Sequence, residues 1–190
     1  APTGEVPVKR CLGAAETADR THENAFATIG GTRYHPMYAR LIGPHVLICR
    51  GKVYCAIQNS RGRPVISAYD IEAGTWSNPV TASAHGLGGD HHGNPSLYVD
   101  RKGHFHLFYG CHGRRMRHTR SDRPYDITEW SEQSSPTPRA TYPQSFRLAD
   151  GKLYLFFRAG GHVAPWTMLV SEDDGASWSK PKRILEMRLK

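Results

Sequence analysis

The sequence has 190 residues, 38% of them hydrophobic, with 25 Lys and Arg against 17 Asp and Glu for a formal net charge of +8. This composition predicts one globular unit rather than a disordered chain. No apolar run approaches the about 18 residues of a membrane span. The opening residues, APTGEVP, lack the pattern of a signal peptide, so we expect neither a membrane partner nor an export signal in this sequence.

The positive surplus favours a polyanionic partner. Nucleic-acid-binding proteins concentrate Lys and Arg on a helix or a stripe, whereas here these residues are scattered along the chain. Arg is preferred over Lys, which suits planar recognition of carboxylates or sulfates. We therefore expect an acidic polysaccharide as the partner and no nucleic acid.

The four cysteines are Cys11, Cys49, Cys55 and Cys111. Their spacing matches neither CxxC nor a zinc finger, so cysteines alone do not indicate a zinc site. A disulfide from Cys11 to Cys49 or Cys55 stays open if the protein is extracellular.

In chain order, residues 1–37 form an N-terminal arm with at most a short helix around Glu16–Phe26, and residues 38–190 form a β domain. Gly51, Gly103 and Gly151 each open an aromatic strand after a tight turn and are spaced by 52 and 48 residues. A repeat of about 50 residues made of short strands predicts an all-β fold, the β-propeller.

A second feature points the same way, because residues 171–178 match the Ser-x-Asp-x-Gly-x-x-Trp hairpin known as the Asp-box. Residues 67–76 and 125–130 are degenerate copies, and we expect all of these hairpins to be structural. Blades over 38–86, 90–135 and 140–186 number three, whereas a closed propeller needs about 4 to 8. We expect the missing blades to come from a longer chain or from a partner chain.

Residues 89–113 hold five histidines in a segment that predicts a hairpin of strands Ser96–Asp100 and His104–Gly110. The hairpin would bring His91 and His92, before its first strand, close to His112, after its second. Paired imidazoles at one end of a hairpin suit proton transfer near neutral pH.

The third blade adds a phenol and a cation to this histidine pair. Tyr142 precedes one predicted strand and Arg158 ends the next. If adjacent blades present equivalent ends on one face, these side chains converge with His92 and His112.

The pattern resembles the BNR-repeat propellers, and within them the ulvan lyase type of polysaccharide lyases, which have seven blades. His92 and His112 are 20 residues apart and Tyr142 and Arg158 are 16 apart, in the contexts DHHGNPSL, YGCHG, TYPQSF and LFFRAGG. The resemblance covers roughly 38–186. It implies a secreted or periplasmic enzyme in which these four residues are catalytic, and substrate contacts are expected at His91, Asn94, Gln144 and His162.

The implied reaction is β-elimination across C4–C5 of a uronic acid. Arg158 would hold the carboxylate in a planar fork and stabilise the enolate-like charge that develops there. His92 or Tyr142 would serve as base and acid, with His112 positioning the sugar or replacing one of them. This chemistry requires no cofactor and is compatible with a structural metal ion.

Other interpretations stay open. Related propellers include hydrolases that remove rhamnose from rhamnosyl-glucuronate ends and sialidases, and a propeller can also bind glycans without catalysis. His104 and His106 are expected to fill one face of a strand, although together with Cys111 and His118 they could also ligate zinc.

Overall fold

The computed structural model describes residues 45–186. Within this range the chain forms strands and one short 3₁₀ helix, His91–Gly93. The strands are β1 (Val46–Cys49), β2 (Lys52–Gln58), β3 (Pro64–Asp70), β4 (Thr75–Trp76), β5 (Val80–Thr81), β6 (Ser96–Val99), β7 (Phe105–Tyr109), β8 (His112–Arg114), β9 (Arg117–Ser121), β10 (Trp130–Glu132), β11 (Ala140–Arg147), β12 (Leu153–Arg158), β13 (Trp166–Ser171) and β14 (Lys182–Leu185).

The strands form three antiparallel sheets that follow one another along the chain, which confirms the predicted all-β propeller fold. The first sheet has the order β1-β2-β3-β4, with β5 also paired to β3. The second has the order β10-β9-β7-β6, and the third β14-β13-β12-β11-β8. The strand β8 departs from the predicted blades, because it lies within 90–135 in sequence but pairs with β11 of the third sheet.

The repeated glycines lie in the turns that lead into β2, β7 and β12. Gly51, Gly103 and Gly151 have φ values of 72°, 90° and 77°, in the left-handed region that a side chain disfavours. At Gly103 a Cβ atom would also lie 2.4 Å from the Tyr125 ring. The 50-residue repeat in the sequence is therefore the repeat of one hairpin turn in successive blades.

The alternation of side chains along β7 fills two hydrophobic cores. Phe105, Leu107 and Tyr109 pack with residues of β2 and β3, between the first and second sheets. Phe108, on the other face, packs with residues of β12 and β13, between the second and third sheets. Because strand side chains alternate with period two, one central strand joins three blades.

The first strands of neighbouring blades are also joined by polar contacts. Ser96 of β6 and Ser145 of β11 share a hydrogen bond of 2.8 Å between their hydroxyl groups. The backbone N–H of Ser145 donates to the Ser96 hydroxyl at 2.9 Å. These buried contacts fix the relative positions of the blades that carry the candidate site.

The turn between β13 and β14 has the bonding expected of the predicted hairpin over 171–178. The Gly175 N–H donates to the Ser171 hydroxyl at 2.7 Å, and the Ser177 N–H donates to the Asp173 carboxylate at 2.8 Å. Trp178 packs edge-on against Phe108, with 5.7 Å between ring centroids. The hairpin is thus tied into the second core.

Several predictions concern residues outside the described range. They are the N-terminal arm over 1–37, the short helix around 16–26 and any disulfide to Cys11. Within residues 45–186, Cys49, Cys55 and Cys111 are free thiols. No helix in the described part of the chain is long and apolar enough to cross a membrane.

Candidate active site

The short 3₁₀ helix places His92 at the entrance to the second blade. Asp90 precedes the helix in extended conformation, and its carboxylate accepts the His92 N–H at 3.0 Å. Asp is a favoured capping residue because its short side chain reaches such an unpaired N–H. The helix is tied to the end of β7, where the Gly110 N–H donates to the Gly93 carbonyl at 3.0 Å.

The strand β11 brings the other three predicted residues to the same place. Thr141 pairs with His112 of β8 on one side and with Arg158 of β12 on the other. Its hydroxyl accepts the Gly113 N–H at 2.8 Å and donates to the Gly160 carbonyl at 3.1 Å. Thr141 therefore holds the ends of three strands in register beside Tyr142.

A bulge in β11 gives Tyr142 its orientation. The pairing of β11 with β12 shifts register between Thr141 and Gln144, and Tyr142 has a φ of 59°. A bulky residue in the left-handed region is uncommon, because this backbone conformation costs free energy. Such strained conformations are more frequent at functional sites than elsewhere. The tyrosine side chain is buried.

The four predicted catalytic side chains lie together in the structure. The rings of His92 and His112 stack with centroids 3.9 Å apart and 15° between their planes. The Tyr142 ring lies 5.6 Å from the His92 ring, and the Arg158 guanidinium carbon lies 4.9 Å from the Tyr142 ring. The order of contact is thus His112, His92, Tyr142, Arg158.

Asp90 joins the two histidines and was missed by the sequence analysis. One carboxylate oxygen accepts from His92 Nδ1 at 2.6 Å, and the other accepts from His112 Nδ1 at 2.7 Å. Partial burial opposes ionisation, but hydrogen bonds from His112 and His92 outweigh it and lower the Asp90 pKa to about 2. The available signal was the placement of an Asp two residues before His92, where capping residues occur.

Arg158 has a guanidinium group that is not fully hydrogen-bonded within the described residues. Its side chain is 9% exposed, and its one protein hydrogen bond in the described part of the chain runs from Nε to the Gly160 carbonyl at 3.4 Å. The buried Nη2 atom has no partner there, and no carboxylate forms an ion pair with it. A buried guanidinium without a carboxylate is suited to binding an anion.

The four residues expected to contact substrate have different surroundings. Asn94 is buried, and its side-chain oxygen accepts the Gln58 backbone N–H at 3.2 Å, which gives it a structural contact between blades. Gln144 is half-buried in β11, and His162 is exposed in the loop after β12. His91 lies in the 3₁₀ helix.

Donor atoms of Asp90, His92 and His112 lie within 4.8 Å of one another, a spacing that would also admit a divalent cation. Both Nδ1 atoms, however, already lie at hydrogen-bonding distance from separate oxygens of the carboxylate. The shared acceptor brings the two rings together. Hydrogen bonding therefore accounts for the geometry of these three residues.

The alternative zinc cluster is not assembled. His104 Nδ1 bonds to the Ser121 carbonyl at 2.9 Å, and Cys111 lies in the second hydrophobic core, where burial raises the pKa of its thiol. His106 and His118 bond directly to each other at 2.9 Å. The structural interpretation of these side chains is the one that fits their contacts.

Comparison with known proteins places the fold in a family. Residues 52–186 match the BNR repeat-containing family. The chain is 32% identical over 158 residues to an ulvan lyase of Pseudoalteromonas sp. (strain PLSV), a match covering 72% of this chain and 32% of that protein. It is 32% identical over 165 residues to an ulvan lyase of Alteromonas sp. (strain LOR), covering 75% and 34%.

A solved structure agrees with these relatives. It is described as a polysaccharide lyase, PL25 ulvan lyase, bound to -[GlcA(1-4)Rha3S]-. That structure is 29% identical and superposes with a TM-score of 0.73 over 79% of this chain and 39% of its own. The chain spans about a third of the length of the curated relatives that it matches. On the strength of the family match and the successive antiparallel blades, the chain belongs to the BNR repeat-containing family, and within it resembles the ulvan lyases.

Proposed function

We propose that this chain carries the catalytic residues of a polysaccharide lyase that cleaves an ulvan-like polymer by β-elimination at a uronic acid. The observation that carries the proposal is Arg158, a buried guanidinium with no ion-pair partner in the described region, placed against Tyr142 and the histidine pair. The ulvan lyase relatives support the same reaction class. The solved relative bound to a glucuronate and sulfated rhamnose unit supports a substrate of that chemistry.

The proposed reaction starts at the uronate carboxylate. Arg158 binds the two carboxylate oxygens and stabilises the negative charge that spreads into the carboxyl group as the C5 proton leaves. Neutralising this group lowers the pKa of the C5–H bond, which water alone cannot deprotonate at a useful rate. The positive charge is therefore needed in the transition state.

Proton transfer falls to Tyr142 and His92. One of the two takes the C5 proton, the C4–O4 bond breaks as the C4–C5 double bond forms, and the other gives a proton to O4. The 5.6 Å between their rings lets both reach a single sugar. His112, stacked on His92, positions the sugar or replaces one partner. The step consumes no water and needs no oxidant.

The proposed reaction also implies the kind of substrate and the location of the enzyme. The net charge of +8 favours an acidic polysaccharide as substrate. An enzyme that degrades such a polymer would act in a secreted or periplasmic location. Because the chain spans about a third of its relatives, we propose that further blades complete the ring, from a longer chain or from a partner.

Product analysis tests the proposal against its alternatives. Elimination gives an unsaturated uronate that absorbs in the ultraviolet and is one water lighter than the product of hydrolysis. We expect this product from ulvan and none from ulvan whose carboxyl groups have been reduced to alcohols. Saturated ends would indicate a hydrolase, and binding of ulvan without any new ends would indicate a glycan-binding propeller.

A further inference from the structure

One carboxylate serves both histidines of the candidate site. Asp90 offers each of its oxygens to a different imidazole, and in both cases the partner atom is Nδ1. We infer that Asp90 is a positioning residue that holds His92 and His112 in the same tautomer, with Nδ1 protonated and the Nε2 lone pair free to accept a proton from substrate. The inference rests on the proposed function for its catalytic meaning, but not for its chemistry.

The tautomer follows from hydrogen-bonding capacity. An ionised carboxylate can only accept, so each bonded Nδ1 must carry a hydrogen atom. A neutral imidazole carries a single ring proton, which leaves the lone pair on Nε2. The low pKa of Asp90, about 2, keeps the carboxylate ionised at neutral pH.

Asp90 is itself held from two directions, through its carboxylate and through its backbone carbonyl. The carboxylate accepts the His92 backbone N–H at 3.0 Å as the cap of the 3₁₀ helix. The carbonyl group of Asp90 accepts the Gln58 side-chain N–H at 2.9 Å, so the buried end of β2 in the first blade supports it. Two further groups with titratable or charged side chains lie beyond the histidines, Tyr142 and Arg158.

The arrangement fixes the orientation of both imidazole rings as well as their tautomer. With both Nδ1 atoms bound to one carboxylate and the rings stacked at 3.9 Å, neither imidazole can rotate without losing a hydrogen bond and a ring contact. In the Ser-His-Asp triad, an Asp that bonds Nδ1 has the same role, and its replacement by Asn lowers kcat by about 10⁴ because the tautomer becomes wrong. Here one Asp would do this for two histidines.

The matched variants are Asp90→Asn and Asp126→Asn. Asparagine keeps the capping oxygen at residue 90 but turns one acceptor into a donor, so one histidine must present Nε2–H. Asp126 caps the Thr128 N–H at 2.8 Å in a turn that contacts neither histidine. We expect Asp90→Asn to lower kcat by roughly 10²- to 10⁴-fold with a smaller change in KM. Asp126→Asn should keep wild-type turnover, and Asp90→Glu should recover part of the loss.

The decisive readout does not depend on activity. Two-bond ¹H–¹⁵N correlations of histidine-labelled wild-type protein should show both rings with hydrogen on Nδ1, and Asp90→Asn should convert at least one to Nε2–H. A neutral wild-type ring with hydrogen on Nε2 and none on Nδ1 would overturn the inference even if Asp90→Asn failed to fold. Wild-type turnover in Asp90→Asn, or one tightly bound transition-metal ion per wild-type chain that this variant loses, would also overturn it. If the tautomers are as expected but the protein does not eliminate ulvan, the positioning role of Asp90 stands and the proposed function is wrong.

Discussion

At the scale of single residues, Tyr142 shows how the backbone serves the candidate chemistry. The bulge that gives it a φ of 59° turns its ring between His92 and the Arg158 guanidinium. The sequence pattern predicts that Tyr142 precedes a strand, whereas the structure places it inside β11, as its third residue. Its strained backbone conformation has no local sequence signal. The conformation follows from pairing with β8 and β12 on both sides.

Replacing Tyr142 by Phe separates ring packing from proton transfer. The ring stays the same size, so the melting temperature should change little. If the phenol is the base or the acid, Tyr142→Phe should lower kcat on ulvan by roughly 10²- to 10⁴-fold, the usual worth of such a group. The measurement is steady-state turnover beside thermal unfolding. Turnover within a few-fold of wild type would assign both proton transfers to the histidines.

The histidine pair was predicted from its spacing, whereas Asp90 was not. Two strands and a turn place His92 and His112 at one end of a hairpin, which period-two patterns and turn residues reveal. The bridging carboxylate depends on a 3₁₀ helix of three residues, too short to leave a periodic pattern. Contacts of this kind become visible only with three-dimensional coordinates.

At the scale of elements, the strands were predictable and their sheet membership was less so. Strands β6 and β7 match the predicted hairpin within one residue at each end, because aromatic alternation and the turn at Gly103 mark both. The short strand β8 lies between β7 and β9 of the second blade in sequence yet completes the third sheet. Its three residues carry no pattern that distinguishes the two sheets, and β11 offers the free edge.

We expect the hairpin over 171–178 to stabilise the fold and to take no part in catalysis. Trp178 packs against Phe108 but is only half-buried. Replacing a core tryptophan by alanine costs about 3–5 kcal/mol, so Trp178→Ala should cost less, about 2 to 3 kcal/mol. We expect the free energy of unfolding to fall by this amount. At temperatures where the variant is folded, turnover on ulvan should match wild type. A stable but inactive variant would contradict the structural assignment of the hairpin.

The buried Asp100 gives the second blade a dependence on pH. Its carboxylate accepts from His106 Nε2 at 3.2 Å and from the His104 and Lys102 N–H groups at 2.8 Å, with Arg120 3.7 Å away. Burial opposes ionisation, but these bonds outweigh it and lower the Asp100 pKa from 3.8 to about 2. Burial also lowers the pKa of His106, although its hydrogen bond to Asp100 opposes that shift.

A carboxyl group whose pKa is lower in the folded state than in the unfolded state stabilises the protein at pH values above its unfolded-state pKa. This stabilisation is lost as the pH falls through the folded-state pKa. Asp100 should therefore contribute about 2 kcal/mol above pH about 4 and lose it between pH about 4 and about 2. Urea unfolding of wild type and Asp100→Asn across this range should show a shallower loss of stability in the variant. Equal losses in the two proteins would mean that Asp100 titrates normally.

In the molecule as a whole, the candidate site lies where strand ends of the second and third blades meet. The site draws its residues from the second and third blades, while Gln58 of the first blade supports Asp90. Large apolar side chains are exposed on β1 and β14, at Ile48 with 73% and Leu185 with 58% exposure. We propose that further blades cover such surfaces, in keeping with relatives about three times as long.

Arg158 is proposed to neutralise a substrate carboxylate in an elimination, and the decisive experiment is the rate at which Arg158→Lys in the full-length protein forms unsaturated uronate from ulvan. Lysine keeps the charge but loses the planar fork that holds both carboxylate oxygens in position. With the melting temperature of Arg158→Lys as the control for folding, we predict that most turnover is lost and that Arg158→Ala loses more. A folded Arg158→Lys with near-wild-type turnover would show that the fork is unnecessary, and near-wild-type turnover in Arg158→Ala would show that this residue does not neutralise the carboxylate.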